Sequence, residues 1–417
     1  KILFNDAVAM TGGQKHDGPL SPDRIAWQVS AEGVERIAIV ADDPARHEST
    51  DFPPGTTLHH RDEMDDVQQM LREIPGTTVL VYDQNCASEK RRRQKRGVIP
   101  EATTRAFIHE EVCEGCGDCS LKSNCVSVTP LDTEFGTKRR INQSSCNKDL
   151  SCVKGFCPSF ITIEGGVLRK PETSDLSSLL ERPLPDPAAP DLTRPWNIFV
   201  AGVGGNGVVT IGAILAMAAH IEGKGCSTLD MIGMAQRGGA VTTHIRLAKS
   251  QSELTAVRIP AQSSDLVLAS DVVTALGMES KAVIGPGKTH IILNLEETIT
   301  GNFVRNRKAR FQIEPLKQEL SQWVGAEKID TLDASRISTA LLGDSIGANM
   351  MMVGYASQKG MIPVSIDAIE QAIKLNGASV KLNTMALRLG RLLAVDAIAI
   401  EPFLKPVSYT HLRAHET

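Results

Sequence analysis

Short apolar and β-branched runs alternate with stretches of helical spacing along most of the chain. Residues 2–5, 37–40 and 78–82 read as strands. Residues 21–32 and 63–73 repeat apolar positions at the three- and four-residue intervals of a one-faced helix. The alternation resumes at Trp196 with the run NIFVAGV, a Gly-rich turn and a helix over 208–221. Further strands are expected at 241–247, 266–269 and 290–293, and long helices over 340–358, 365–375 and 380–396. Such alternation predicts an α/β fold, with a doubly wound sheet in the C-terminal part. Between the two α/β parts, residues 171–194 carry Pro171, Pro183, Pro185, Pro187 and Pro190, with Pro195 just beyond. That density excludes regular helix and predicts a semi-rigid linker.

The 417 residues leave room for about two to four domains, and 41% hydrophobic with 23% charged residues predicts a packed core. Lys and Arg number 45 against 49 Asp and Glu, a net charge of −4, which argues against a nucleic-acid partner. Aromatic residues, at 4%, are too few for a base- or sugar-stacking surface. No apolar run approaches the ~20 residues of a membrane helix, and the first residues do not read as a signal peptide. A membrane partner is therefore not expected. One local excess stands out: six cations in the seven residues 90–96. It reads either as a solvated helix face or loop, or as a docking patch for an acidic partner or a phosphate.

Seven of the nine cysteines lie between Cys113 and Cys157. One dense block in a large, otherwise cysteine-poor chain points to a metal cluster in a reducing, cytoplasmic setting rather than to secreted disulfides. The first run is Cys113-x2-Cys116-x2-Cys119-x5-Cys125; the second is Cys146-x5-Cys152-x4-Cys157-Pro158. Three cysteines at i, i+3 and i+6 can wrap one face of an iron–sulfur cube, and a remote cysteine before proline closes it, so Cys157 is the expected fourth ligand of a [4Fe–4S] cluster. Gly115 and Gly117 let the backbone turn tightly and aim N–H groups at sulfide. Cys125, Cys146 and Cys152 are left for a second cluster that would need one ligand other than these. Zinc, which usually takes two separated pairs, and disulfides are the alternatives. Cys86 and Cys226 stand alone in apolar surroundings and read as small buried hydrophobes.

Gly202, Gly204, Gly205 and Gly207 follow a strand and open a helix, in the G-x-G-x-x-G order of a dinucleotide-binding turn. Asp230 ends the next expected strand, where a ribose-binding acid would sit. The turn reads equally as a tight strand–helix connection whose amides hold another phosphate or nothing. Arg237, in a Gly-flanked loop, suits a carboxylate, a phosphate or an interdomain ion pair.

Together these segments resemble the indolepyruvate ferredoxin oxidoreductase family, in its long fused bacterial form, within the 2-oxoacid:ferredoxin oxidoreductases. The resemblance runs over residues 1–406. It is carried by FNDAVAMTGGQ at 4–14, YDQNCASEKRRRQKRG at 82–97, CEGCGDCSLKSNC at 113–125, CNKDLSCVKGFCPSF at 146–160, GVGGNGVVTIG at 202–212 and GMAQRGGAV at 233–241. It implies that residues 1–108 are the C-terminal part of a thiamine-diphosphate-binding α/β domain and 109–170 a ferredoxin-like iron–sulfur region. Residues 195–406 would then be a doubly wound γ-type domain after the linker. Residues 407–417 resemble a translated sequencing adapter, and the chain is expected to be a fragment cut at both ends.

The implied activity is oxidative decarboxylation of a 2-oxoacid on thiamine diphosphate. Electrons would pass through iron–sulfur clusters to ferredoxin and the acyl group to coenzyme A. Asn5 matches the family's second Mg2+ ligand through its side chain, with the Ala7 carbonyl a third, and an amide oxygen is a suitable hard donor. Thr11, Gly12 and Gly13 match the loop beside the diphosphate. The family's GDG motif and pyrimidine-binding domain would lie before residue 1, so this stretch alone is not expected to catalyse. A homo-oligomer is expected at full length. The family's γ domain uses its Gly-rich turn without binding NAD. Two other readings compete: an NAD(P)H- or flavin-linked enzyme with a ferredoxin insert, and a non-catalytic electron-transfer subunit.

Overall fold

The computed structural model describes residues 1–7, 17–95, 97–143, 145–155, 157–166, 176–233, 239–296, 306 and 313–404. The chain divides into two compact units. One comprises Lys1–Arg105 and Asn147–Asp149, the other Ala106–Cys146 and Leu150–Thr417.

The first unit is built on four parallel strands, β1 (Ile2–Phe4), β2 (Arg36–Ala41), β3 (Thr57–His60) and β4 (Thr78–Asp83), in the order β1-β4-β2-β3. Alternate residues of β2 serve opposite faces. Ile37 and Ile39 pack with Ile25 and Ala26 of the helix Pro22–Ala31. Ala38 and Val40 pack with Val67 and Leu71 of the helix Met64–Arg72. A strand covered on both faces reads as a continuous apolar run, which is why RIAIVA is legible as a strand. β3, with the sequence TLHH, is a half-buried edge strand, and its polar residues hide it from any reading of hydrophobicity.

The cysteine block lies in the second unit among four short strands. β5 (Thr104–Ile108) pairs with β8 (Phe160–Glu164), and β6 (Val128–Thr133) pairs antiparallel with β7 (Gly136–Ile141).

The C-terminal sheet has six strands. β9 (Trp196–Val203), β10 (Gly225–Ile232), β11 (Ala240–Ala248), β12 (Leu266–Ala269), β13 (His290–Asn294) and β14 (Ile329–Leu332) lie in the order β10-β11-β9-β12-β13-β14. β9, β12, β13 and β14 are parallel. β11 runs antiparallel to both β9 and β10, so the expected doubly wound sheet is a mixed one. The seven residues 233–239 between β10 and β11 are too few for the helical crossover that a parallel pair needs. Both faces are nevertheless covered. Ile198 and Val200 of β9 face a large core with the helices Val208–Ile221, Ala348–Gln358 and Val380–Val395, and Phe199 and Ala201 face a second core with the helix Ile313–Val324.

The helix expected over 340–358 is two helices. Gly343, at φ 77°, caps the helix Ala334–Leu342, and the Asp344 carboxylate accepts the Ile346 amide to restart the chain. The proline-rich stretch is laid onto this core. Leu176, Leu179 and Leu192 are buried, and the Pro185 carbonyl accepts hydrogen bonds from Gln358 (2.8 Å) and Arg391 (3.1 Å).

The helix Ala348–Gln358 is largely apolar and buried nearly throughout, as befits a central element. It meets Val380–Val395 through glycines on both sides. A Cβ at Gly354 would strike the Leu387 carbonyl, and one at Gly390 would strike the Met351 carbonyl. Both obstacles are backbone and cannot swing aside. Gly354→Ala is therefore expected to cost about 3 kcal/mol, as overpacking does. Urea unfolding monitored by circular dichroism would measure it, and a loss under about 0.5 kcal/mol, the level of an ordinary surface substitution, would refute the close approach.

Candidate functional site

The cysteines are set by turns that end strands. After β5, the Cys113 amide donates to the His109 carbonyl at 3.0 Å; after β7, the Cys146 amide donates to Asn142 in the same way at 3.0 Å. Gly115, at φ 69°, folds the chain back so tightly that a Cβ would strike the Thr137 carbonyl, and its own amide points at Cys113 Sγ, 3.4 Å away. Gly117, also left-handed, caps the short helix Asp118–Ser123 that carries Cys119, and Asn124 at φ 48° ends it. The Ser127 amide points at Cys125 Sγ at 3.4 Å. Lys148 and Leu150 are left-handed too, which bends the chain before the turn Ser151–Val153 that carries Cys152.

Cys113, Cys119, Cys125 and Cys152 share one apolar cluster with Ile108, Val128, Ile141 and Phe160. Cys116 is exposed, and Cys157 Sγ lies 3.1 Å from Ser159 Oγ. The gathered sulfurs therefore cut across the two expected ligand sets. No disulfide joins the nine cysteines. Among the described residues no group of three or more His, Cys, Asp or Glu is arranged to hold a metal ion. The chemistry of the donors nevertheless fits an iron–sulfur cluster: soft sulfurs in an apolar shell, with amide N–H groups aimed at them. Burial pushes the Cys119 thiol up, while the Ser120 amide and the Arg139 guanidinium pull the other way. Cys226, on β10, is pushed up to about 11 by burial alone, the setting of a packed, inert thiol.

The Gly-rich turn joins β9 to the helix Val208–Ile221. A Cβ at Gly202 would sit 2.8 Å from Val208 and 2.9 Å from Ser270, and one at Gly207 (φ 78°) would strike the Asn349 amide. Several amides of the turn are spent within the protein. Val203 donates to Asp271 (3.1 Å), Gly204 to the Gly239 carbonyl (2.8 Å) and Asn206 to the Val203 carbonyl (3.2 Å). Asp271 is fully buried past the end of β12, where burial raises its pKa against the Thr274 and Val203 hydrogen bonds. Beside it, Asn294 donates to the Ser270 carbonyl and to Ser335, and Ser335 donates to Glu296, whose pKa burial also raises. Neither acid was visible from the sequence. The one available signal was Ser270-Asp271 directly after LVLA. Asp230 accepts from Thr243 at 2.6 Å on β10, a strand separated from β9 by β11, so it does not flank the turn as a ribose-binding acid must. Arg237 lies outside the described residues.

In the first unit, Asn5 follows β1 at the carboxyl edge of the sheet, and its Oδ1 is buried with no partner. An orphaned buried amide oxygen is the kind of acceptor a hard cation satisfies. Thr11, Gly12 and Gly13 lie outside the described residues. Along the same edge, Asp83 accepts from Arg46 (2.7 Å) and lies 2.7 Å from His47 Nε2, a cluster the sequence reading passed over although Asp83 closes the strand TVLVYD.

Among known proteins, the pyruvate ferredoxin/flavodoxin oxidoreductase family matches residues 197–393. An indolepyruvate oxidoreductase subunit IorB of Archaeoglobus fulgidus is 30% identical over 196 residues, 46% of this chain and 92% of that one. A pyruvate/ketoisovalerate oxidoreductases common subunit gamma of Thermococcus litoralis is 29% identical over 191 residues, 45% of this chain and 90% of that one. A solved pyruvate oxidoreductase subunit of Thermotoga maritima is 20% identical, covering 48% of this chain and 96% of that one, with a TM-score of 0.35.

Gly115 offers a direct test of the cysteine turn. An L-residue in the left-handed region costs roughly 1–2 kcal/mol, and here it also meets backbone. In Gly115→Ala, buried Cys113 is expected to alkylate about tenfold faster under metal-free, anaerobic conditions, as local opening becomes easier. Peptide mass spectrometry would follow it residue by residue. An unchanged rate would mean that the turn does not hold Cys113 in place.

Proposed function

Since this chain belongs to the pyruvate ferredoxin/flavodoxin oxidoreductase family, we propose that it is part of an indolepyruvate-type 2-oxoacid:ferredoxin oxidoreductase. The observation that carries the reading is the match of residues 197–393 to that family, on a chain that also sets sulfurs of both expected ligand sets, Cys113, Cys119, Cys125 and Cys152, in one apolar cluster. Such a shell of soft donors suits electron transfer. Apolar neighbours bury Cys113 and half-bury the other three, and N–H groups at Gly115 and Ser127 offset thiolate charge.

In this proposal Cys113, Cys116, Cys119 and Cys157 hold a [4Fe–4S] cluster in a ferredoxin-like region, and Cys125, Cys146 and Cys152 contribute to a second. Residues 1–108 form the end of a thiamine-diphosphate domain. There Asn5 Oδ1 and the Ala7 carbonyl bind Mg2+, and Thr11, Gly12 and Gly13 line the diphosphate. Bound thiamine diphosphate supplies the electron sink for decarboxylating the 2-oxoacid, iron–sulfur centres the one-electron steps to ferredoxin, and coenzyme A the acyl acceptor. Gly205 and Gly207 of the Gly-rich turn, with Arg237 of the loop before β11, are the candidates for a coenzyme A phosphate.

The nicotinamide alternative loses its footing in the C-terminal sheet. Asp230 is bound to Thr243 and displaced from β9, and the Val203, Gly204 and Asn206 amides already have acceptors. No described helix is long and apolar enough to cross a membrane.

Protein made anaerobically is expected to contain iron and acid-labile sulfide, and Cys116→Ser to lose one cluster's share of the iron. Stoichiometric zinc without iron after anaerobic reconstitution would sink the cluster assignment. Calorimetry is expected to find no NADH binding; micromolar affinity that vanishes in Gly204→Val would restore the nicotinamide reading.

A further inference from the structure

The basic run at 90–96 has no part in the function proposed above. Residues 87–95 form a helix, and two of its arginines, Arg92 and Arg93, bind carboxylates. Glu89 has a side chain only 5% exposed, and it binds two of them: Arg92 through one oxygen and Arg93 Nε through the other at 3.2 Å. Arg93 then reaches further. Its Nη1 lies 2.6 Å from Asp6 Oδ2, so one planar guanidinium bridges a buried carboxylate of its own helix and an acid 87 residues away.

Asp6 stands between Asn5, whose side-chain oxygen is buried and without partner, and Ala7, which is buried. On the other side of Asn5, Phe4 pairs with Asp83 in the sheet, and its carbonyl accepts the Gln84 amide at 3.2 Å. Residue 5 is thus held from one side by the sheet and from the other by Arg93. We propose that Arg93, braced by Glu89, is a positioning residue that fixes the backbone of residues 5–7 so that the Asn5 side chain and the Ala7 carbonyl meet Mg2+. This rests on the thiamine-diphosphate reading of the first unit. An ion pair as exposed as this one adds little to global stability. Its effect lies in preorganisation, which appears as cofactor affinity rather than as melting temperature.

The test uses the full-length protein, with Mg2+ and thiamine diphosphate as probes. The Mg2+ concentration for half-maximal thiamine diphosphate binding is measured by calorimetry in Arg93→Gln, Asp6→Asn and the double variant. Each single variant is expected to need about tenfold more Mg2+, the scale of a lost supporting contact around a metal. The double variant should be no worse than either, because both remove one interaction. Binding should recover at saturating Mg2+, with the visible spectrum of the clusters unchanged in every variant and the thermal midpoint unchanged in Asp6→Asn, which leaves the Arg93–Glu89 pair in place. Arg93→Lys, which keeps the charge but cannot bridge both carboxylates, should fall between. If Arg93→Gln fails to fold, Asp6→Asn carries the test alone. An unchanged Mg2+ requirement in these variants, or strictly additive losses, would overturn the clamp provided Asn5→Leu does raise the requirement. If Asn5→Leu is also without effect, the cofactor reading itself falls, and the clamp with it.

Discussion

A strand covered on both faces leaves little room for an unpartnered polar side chain, and that constraint shapes where this chain can do chemistry. β2 and β9 are apolar along nearly their whole length and feed two cores each. Several polar groups of the parallel strands sit at the carboxyl edge: Asn5 just past β1, Asp83 at the last position of β4, Asp271 past β12, and Asn294 and Glu296 at and past the end of β13. β11 is an exception. Its buried Thr242, His244 Nδ1 and Arg246 are engaged with Glu279, the Ile259 amide and Asn197 respectively, His244 Nε2 is buried without a partner, and burial holds His244 below the usual imidazole range.

Close backbone approach is the second organising feature, and it is where glycine is required rather than tolerated. Gly354 and Gly390 let two helices of the large core touch carbonyl to Cα. Gly202 and Gly207 let the start of the helix Val208–Ile221 sit against Ser270 and Asn349, and Gly115 lets the cysteine turn lie on β7. Two glycines of the G-x-G-x-x-G spelling, Gly202 and Gly207, thus have a packing cause here that does not depend on any phosphate. A motif defined by glycines records tight geometry first and ligand second.

Charge follows burial in the same way. Glu89 is nearly enclosed and could not be so without Arg92 and Arg93, and Arg93 in turn is only partly exposed. A cluster of six cations in seven residues reads as a surface feature when only charge is counted. Its structural meaning comes from the one acid in the same helix that points inward, and from Asp6.

By itself, the sequence determined the elements whose signal is local. The apolar runs of β2, β4, β9, β12 and β13 and the helices at 22–31, 64–72, 208–221, 366–376 and 380–395 lie within a residue or two of where periodicity puts them. The cysteine spacing and the glycine turns also stood out, because a rare residue at fixed intervals needs no partner to be seen. Tertiary structure alone decided the rest. The polar edge strand β3 is held by pairing with β2 rather than by hydrophobicity. The antiparallel place of β11, which displaces Asp230 from β9, follows from strand pairing and from a short connection. The break at Gly343 depends on a single left-handed residue inside an apolar stretch. Which four sulfurs share an apolar shell, and which arginine reaches Asp6, are matters of three-dimensional proximity, and residues 87 positions apart carry no trace of it in their local pattern.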